Sequence, residues 1–344
     1  MSVKAIADID IAITLNGDPI YGLLQVSVTN TNSFSADTFA ITFATGSYPL
    51  CSMEFWSSLS SGYISISAAA AKGLPSQDLI SGMIDTLILD PIKCTVAIEG
   101  RDLSASMIDG YRQQDFVNQT ASEVVSTIAA FHGLIPMVTA TPGAVGRYYG
   151  DGYTRLSLGQ FSRLRSDWDL VVQLARENSF DVFVQSETLY FQPGSTSEDL
   201  PTRLGFGDVK SMHFERALAL APSTTARVQS WNSQNMASYT GAGETTNSEQ
   251  TLSAGPAVQP FLFSASNFTS QQVTNSAGQY TAELTRLGLV LRAEMPWNFA
   301  LVPRSQVYID DAGSGLDTIY QIDHVERHYS TTSGSTQKIS AVVV

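Results

Sequence analysis

The sequence predicts a mainly β protein with an α+β insert, and three observations carry that prediction. Apolar and polar residues alternate with a period of two through the first hundred residues. Near Asp109 the texture changes to two helical patterns and a hairpin. After residue 257 short alternating runs return, beside one further helix.

In the first region Ile9, Ile11, Ile13 and Leu15 alternate with Asp10, Ala12 and Thr14. Val26 and Val28 follow, then Phe39, Ile41 and Phe43, Ile64 and Ile66, and Val96 and Ile98. A period of two with one apolar face is the pattern of antiparallel strands. Asn16-Gly17-Asp18-Pro19 marks a turn between two such runs. No alternation of helix with strand follows, which argues against a parallel nucleotide-binding sheet. This region reads as a small barrel or sandwich.

The middle region carries two helix starts. In Thr120-Ala-Ser-Glu123 the threonine hydroxyl can accept from the amide at position 123 while the glutamate reaches back, a capping box. Val124, Val125, Ile128 and Ala129 form one face, and Gly133 suits the left-handed end of that helix. A second helix starts at Ser166, with Asp167 and Asp169 favourably placed on its dipole and Trp168, Val171, Val172 and Ala175 as its stripe. Phe180 to Gln185, Ser186-Glu187-Thr188 and Leu189 to Phe191 then read as a hairpin, closed near Pro193.

From Thr224 to Pro260 the chain is rich in Ser, Thr, Asn, Gln and Gly. It has a strand-like run at 226–231 and then a stretch, 232–256, with little to bury, expected as an exposed loop. A helix is expected from about Thr269 to Leu287, then strands at 289–293, ended by Pro296, and around 307–309, 319–325 and 337–343. The final Ala341-Val-Val-Val344 can pair as a strand or dock on a neighbour.

Composition narrows the function. Hydrophobic residues are 43% and charged residues 15%, so the surface must be rich in uncharged polar groups. Nineteen Lys and Arg against 32 Asp and Glu give a net charge of −13. That balance is adverse to coating duplex nucleic acid, which needs clustered cations. No apolar run reaches the ~18 residues of a membrane span and Met1 to Asp8 holds no signal-peptide core, so membrane insertion is not expected. Cys51 and Cys94 are too few for a disulfide scaffold or a four-cysteine zinc site. Small buried thiols are the simple reading; spacing does not decide whether they are bridged.

Catalytic signatures are scarce. There is no phosphate-binding loop or nucleophile elbow, and Gly150-Asp-Gly152, Gly205-Phe-Gly207 and Gly241-Ala-Gly243 each lack a third glycine, so they read as turns. The one metal-like cluster is His324-Val-Glu326-Arg-His328: on a strand His324, Glu326 and His328 share a face, two imidazoles and a carboxylate. Same-face neighbours on a strand are ~6–7 Å apart, so a solvated or subunit-facing strand is the stronger reading. Asp310-Asp311 reads as turn chemistry. Arg147, Arg155, Arg163, Arg165 and Arg176 are the densest cations, beside Tyr148, Tyr149 and Tyr153. Pairing to carboxylates is expected of them; nucleic-acid binding is the sharper alternative. Trp56, Trp231, Trp297 and Tyr308 suit cores first and interfaces second.

The order of segments resembles a known family, the bacteriophage late control protein D or tail baseplate hub proteins, which include the hub portion of type VI secretion spike proteins. Residues 97–110, Ala-Ile-Glu-Gly-Arg-Asp-Leu-Ser-Ala-Ser-Met-Ile-Asp-Gly, are similar to the end of that family's first barrel. The run from Phe116 through Thr120-Ala-Ser-Glu to His132-Gly-Leu134 resembles its first helix. Ser166-Asp-Trp-Asp-Leu-Val-Val-Gln-Leu-Ala175 through Leu189-Tyr-Phe-Gln-Pro193 resembles its helix–hairpin module. Val228-Gln-Ser-Trp-Asn232 and Met295-Pro296 extend the likeness over most of the chain.

The resemblance implies two tube-like β-barrel domains joined by a small α+β domain. The first would span 1–111 and recover strands at about 203–231. The α+β domain would be 112–202, the exposed linker 232–256 and the second barrel 257–344. It further implies a non-enzymatic homotrimer with pseudo-sixfold symmetry in the virion tail baseplate, made in the host bacterial cytoplasm. Its partners would be the tail tube protein, the central spike protein, and baseplate wedge and tape-measure proteins, with DNA passing through the lumen unbound and no cofactor or metal. An acidic lumen would repel DNA phosphates, so carboxylates are expected to face it, and an electropositive lumen would contradict that. The alternatives from other classes are a tail-associated cell-wall hydrolase and a carbohydrate-binding β-module.

Overall fold

The computed structural model describes residues 9–32, 34–46, 51–110, 114–150, 152–158, 166–194, 200–217, 224–233, 235–245, 261–266, 268–286, 288–310, 312–313 and 315–343. The first region contains β1 (Asp10–Leu15), β2 (Asp18–Pro19), β3 (Leu23–Thr31), β4 (Thr38–Ala44), α1 (Met53–Ser58), β5 (Tyr63–Ala69), β6 (Gln77–Asp90) and β7 (Thr95–Asp102). Their alternation places Ile13, Val26, Val28, Phe39, Ile41, Phe43, Ile64, Ile66, Val96 and Ile98 in one core. The short α1, capped by the Ser52 hydroxyl, inserts the fully buried Trp56, stacked on Phe43 at 5.9 Å. The strand order is β3-β4-β7-β6-β5-β1-β2. Asn30 of β3 nevertheless donates to the Leu79 carbonyl of β6, three places away, at 3.0 Å. The sheet is rolled, not flat.

The alternation did not show β6, for a physical reason. Its first half pairs with β5 and its second with β7, and a bulge at Asp85 breaks the period between them. The strands approach closely there: a Cβ on Gly82 would lie 2.0 Å from the Arg101 carbonyl oxygen, and one on Gly100 2.2 Å from that of Met83.

The middle region holds α2 (Ala105–Asp109), β8 (Asp115–Val117), α3 (Ala121–Phe131), β9 (Ile135–Val138), β10 (Arg147–Gly150), β11 (Tyr153–Ser157), α4 (Asp167–Asn178), β12 (Phe180–Gln185) and β13 (Thr188–Pro193). Both helices start as the sequence predicts. Thr120 and Glu123 form a reciprocal capping box, and Ser166 and Asp169 form another. The stripe of α4 also includes the buried Leu170 and Leu174, and Val172 is only half-buried. Sheets β10-β11-β8 and β12-β13-β9 share one core with α3 and α4. In the edge strand β9 the amides of Ile135 and, just beyond it, Thr139 point to β13, so Pro136 faces the open edge, where its missing N–H leaves nothing unpaired.

The remaining elements are β14 (Thr202–Leu204), β15 (Ser211–Arg216), β16 (Thr224–Asn232), β17 (Ala237–Thr245), β18 (Phe261–Ser266), α5 (Ser270–Arg286), β19 (Leu289–Met295), β20 (Gln306–Ile309), β21 (Ile319–Ser330) and β22 (Gly334–Val343). The division differs from the expected one. The strands near 203–216 do not return to the first barrel: β14 pairs with β20 and β15 with β19, placing Leu204 in the second core with Met212 and Phe214 packed against it. The run 226–231 does not return either. It forms β16, central in the sheet β17-β16-β18, which α5 backs through a small core of Val228, Val273 and Ala277. Of the expected linker 232–256, residues 237–245 form β17 because their amides pair with β16; residues 246–256 lie outside the described residues. Ala341 to Val343 pair as part of β22, while Val344 is outside them.

The second rolled sheet, β15-β19-β22-β21 with β20 and β14, encloses Leu291, Val307, Ile309, Tyr320, Ile322, Val325 and Ile339. Phe214 and Tyr320, on strands three places apart, touch at 6.1 Å between ring centroids. The two rolls are one sheet of thirteen strands because β21 changes neighbours. Residues 319–321 pair with β20 through Tyr308, Val307 and Gln306, a bulge falls at Asp323, and His324 to Ser330 pair with β3.

Candidate assembly surface

Alternation along each strand makes the outer side of the fused sheet a largely polar wall, with Met83 an apolar exception. One row of directly paired residues crosses nine strands: Ser211, Glu294, Lys338, Glu326, Thr29, Thr38, Arg101, Met83 and Tyr63. At the ordinary spacing of neighbouring strands it spans roughly 40 Å of arc. The next row runs His213, Arg292, Ser340, His324 and Thr31. Across these rows lies a groove of about 520 Å³ lined by His213, Arg292, Glu294, His324, Glu326 and Lys338.

Charge on the wall is matched locally. Lys210 pairs with Glu294 at 2.6 Å, Lys338 with Glu326 at 3.6 Å and Arg292 with Glu215 at 3.1 Å. Arg101 grips Asp85 and Asp109, both at 2.6 Å, and that guanidinium holds the Asp109 carboxyl below its ordinary range. Asp85, Glu215, Glu294 and Glu326 of this face each have a cation.

His324, Glu326 and His328 do share one face, as the spacing requires. They are not gathered: their cross-strand neighbours are Ser340, Lys338 and Thr336 on one side and Thr31, Thr29 and Ser27 on the other. Glu326 is engaged by Lys338, and among the described residues no group of three His, Cys, Asp or Glu is arranged to hold a metal. Cys51 is buried and donates to the Tyr21 carbonyl, while Cys94 is exposed in the β6–β7 turn; both thiols are free. The expectation of two buried cysteines fails at Cys94 because the turn faces solvent. Of the arginine window, Arg155 pairs with Asp115 at 2.5 Å and Arg176 lies over the Phe34 ring at 5.3 Å. The Arg147 side chain, Arg163 and Arg165 lie outside the described residues, as does Asp311, while Asp310 sits 3.9 Å from Arg203. A second groove, of about 550 Å³, is lined by Asn118, Gln119, Ser122, Glu123, Ser126 and Thr127. The Ser126 and Thr127 hydroxyls donate within α3, the Ser122 hydroxyl accepts from Thr141, and the carboxylate belongs to the capping box, so none is poised for chemistry.

Behind the wall lies a polar joint between the two rolls and the α+β unit. Asn32 donates through its backbone to Asp323, and Arg304 donates to the Asn32 side chain at 3.2 Å. The Arg304 guanidinium covers the Phe183 ring at 3.5 Å, and Phe183 stacks on Tyr190. Burial lowers the Arg304 pKa, with Asp181 and Asp37 opposing it. Arg286 of α5 reaches Gln321 at 2.7 Å and Asp323 at 3.3 Å. Asp37 and Asp102 lie deeper. Burial first, and Asp37 second, push the Asp102 carboxyl up to about 7, although Ser104 donates to it. Phe34 is packed against the α+β core, and Trp168 donates to its carbonyl at 2.8 Å. Sequence reading missed this joint because its residues are far apart in the chain.

The exposed large apolar side chains include two groups on regular elements. Trp231 (59%), Leu262 (68%) and Met236 (82%) lie on or beside the face of β17-β16-β18 that α5 leaves open, and Phe131, Ile135 and Met137 lie along α3 and β9. Trp56 and Trp297 are core residues, and Trp231 is not. No helix among the described residues is long and apolar enough to cross a membrane.

No family model matches the sequence, and no curated protein matches it. Solved structures do. The 43 kDa tail protein of prophage MuSo2 from Shewanella oneidensis matches over 97% of this chain and 96% of its own, with TM-score 0.67 and 14% identity. A tail protein from Neisseria meningitidis MC58 matches over the same shares, with TM-score 0.71 and 11% identity. An Escherichia coli type VI secretion component, described as structurally similar to T4 bacteriophage tail proteins gp27 and gp5, matches over 96% of this chain and 76% of its own, with TM-score 0.57 and 10% identity. The likeness is one of fold: the chain has the architecture of phage tail proteins from end to end, as the resemblance in the sequence implied.

Proposed function

We propose that the chain is a structural, non-catalytic hub of a contractile-tail baseplate, located in the virion tail and acting as a homotrimer. The observation that carries this reading is the fusion of two rolled sheets through β3 and β21 into a single polar wall. Each chain thereby offers two similar curved plates, and three copies would line a ring with six. Such a ring matches a hexameric tube at one end and a trimeric spike at the other. The fold of tail proteins and of a type VI secretion component over nearly the whole chain supports the same role.

Under this reading the wall lines the lumen. Its uncharged Thr, Ser and locally neutralised ion pairs offer phosphate no net cationic track, so DNA or a tape-measure protein passes without binding. The Trp231 face and the Phe131–Ile135–Met137 strip are contacts for neighbouring subunits, wedge, tube or spike proteins. Native mass measurement tests the reading: a species of three 37.1 kDa chains supports it, and a monomer at micromolar concentration counts against it.

A further inference from the structure

Strand by strand, the two rolls repeat one another. The order β3-β4-β7-β6-β5 in the first corresponds to β15-β19-β22-β21-β20 in the second. The registers correspond as well. Phe39 faces Gly100 across β4 and β7 as Leu291 faces Ala341 across β19 and β22. One strand further out, Val28 of β3 faces Phe39 as Phe214 of β15 faces Leu291. β6 and β21 match down to the bulges at Asp85 and Asp323. The amide just before each bulge makes the same bond, Ile84 to the Gly62 carbonyl at 3.0 Å and Ile322 to that of Ser305 at 2.9 Å.

Beyond the bulges the likeness stops. β21 takes β3 as a new neighbour along His324 to Ser330, where the buried Arg327 faces Val28. Thr86 to Asp90 of β6 keep β7 on one side and have no strand on the other among the described residues. The counterpart of β3 in the second roll is β15, and it ends the sheet. Each chain therefore carries, at its two ends, the unpaired halves of a seam that it forms once internally.

The free groups are in the right phase. Asp102 donates to Asp37 and Thr45 to Cys94 across β7 and β4, so Thr95, Ala97 and Glu99 turn toward β6. Their partners Asp90, Ile88 and Thr86 turn back, which leaves the N–H and C=O of Leu87 and Leu89 at the open edge. On β15, Ala217 donates to Gly288, so His213 and Glu215 turn toward β19, and Phe214 and Arg216 turn outward. The open run Thr-Leu-Ile-Leu holds no proline or lysine, the devices that guard edges elsewhere, as Pro136 does in β9.

We propose that Thr86 to Asp90 pairs antiparallel with β15 of a second copy of this chain. The inference rests on the homotrimer reading and specifies how its copies join. Transferring the β21–β3 register sets Leu87 opposite Arg216, Ile88 opposite Glu215, Leu89 opposite Phe214 and Asp90 opposite His213 of the neighbouring copy. The faces agree. Leu87 and Leu89 pack against the first core and Phe214 against the second, so the apolar side continues across the joint. On the wall side the exposed Ile88 (52%) is covered, and the Asp90 carboxylate meets an imidazole.

The test uses the full chain carrying Cys94→Ser, which leaves only the buried Cys51. Ile88 and Glu215 are set as a non-hydrogen-bonded pair, the closer of the two pair types in a ladder. Ile88→Cys with Glu215→Cys should oxidise to a covalent trimer on a denaturing gel, and neither single variant should. Ile88→Cys with His213→Cys, two residues out of register, should cross-link about tenfold less. Arg216→Pro removes an N–H that points to the open edge, where proline is tolerated. It should leave the circular dichroism unchanged and raise the trimer dissociation constant about tenfold or more. A monomeric wild type would overturn the homotrimer and this seam together. A trimer whose matched cysteines cross-link no better than the mismatched pair, or that Arg216→Pro leaves intact, would overturn the seam alone.

Discussion

The backbone amide of Asn32 donates to the carbonyl of Asp323 at 2.7 Å, closing the β3–β21 ladder at the bulge where β21 leaves β20. This bond stands at the boundary between the two rolls. Its neighbours Arg304 and Arg286 hold the bulge from the α+β unit's side and from α5.

Deleting Asp323 removes the extra residue of that bulge. Ile322 and His324 already face the consecutive residues Ala341 and Ser340, so the shortened strand keeps its alternation but loses the kink at which β21 passes from β20 to β3, together with the Asp323 groups that Asn32 and Arg286 hold. The expected outcome is a folded but less stable protein, with a lower Tm read by circular dichroism. A deletion variant with wild-type unfolding behaviour would show that the bulge contributes nothing to the seam.

Asp102 makes stability depend on pH. Burial, then Asp37, raises its folded pKa from 3.8 to about 7, so the folded state binds the proton more tightly than the unfolded chain. Its contribution is fully present below about pH 3.8 and is lost as pH rises through about 7. Asp102→Asn keeps an acceptor for Ser104 and cannot ionise. It should therefore stabilise the protein at pH 8, by up to a few kcal/mol, with the advantage fading toward pH 5. Thermal melts at both pH values measure it.

The two capping boxes predict small, local losses. Thr120→Ala and Ser166→Ala should each cost about 1 kcal/mol, and Thr120→Ser much less, because the hydroxyl that accepts from the amide at position 123 is kept. Amide exchange in α3 and α4 should report the effect before global unfolding does.

These caps also show what the sequence makes legible. Thr120 and Glu123, or Ser166 and Asp169, are three residues apart, so their chemistry is readable locally. The face shared by His324, Glu326 and His328 is equally local, and the same alternation places Arg327 inside. That buried arginine was a signal available in the sequence and passed over. The partners of β14 and β15 were not available, because Leu204 meets Ile309 and Phe214 meets Leu291 only through long-range pairing. β6 escaped notice because the Asp85 bulge and a change of partner destroy its period.

Trp231 tests the outer contacts. It is exposed beside Ser238 and Ser266, its paired neighbours on β17 and β18, so Trp231→Ala should leave the melting temperature of the chain nearly unchanged. A contact residue of this kind should weaken self-association or partner binding about tenfold or more, measured by sedimentation. Unaltered association would remove this face from the assembly.

Electron microscopy of the purified chain addresses the fused double roll most directly. The account predicts a threefold ring whose inner wall shows six similar curved plates around an open channel, with the polar rows of β21 and β3 facing it. Isolated single chains, or rings in which that surface is packed against other protein and closed off from the channel, would contradict it.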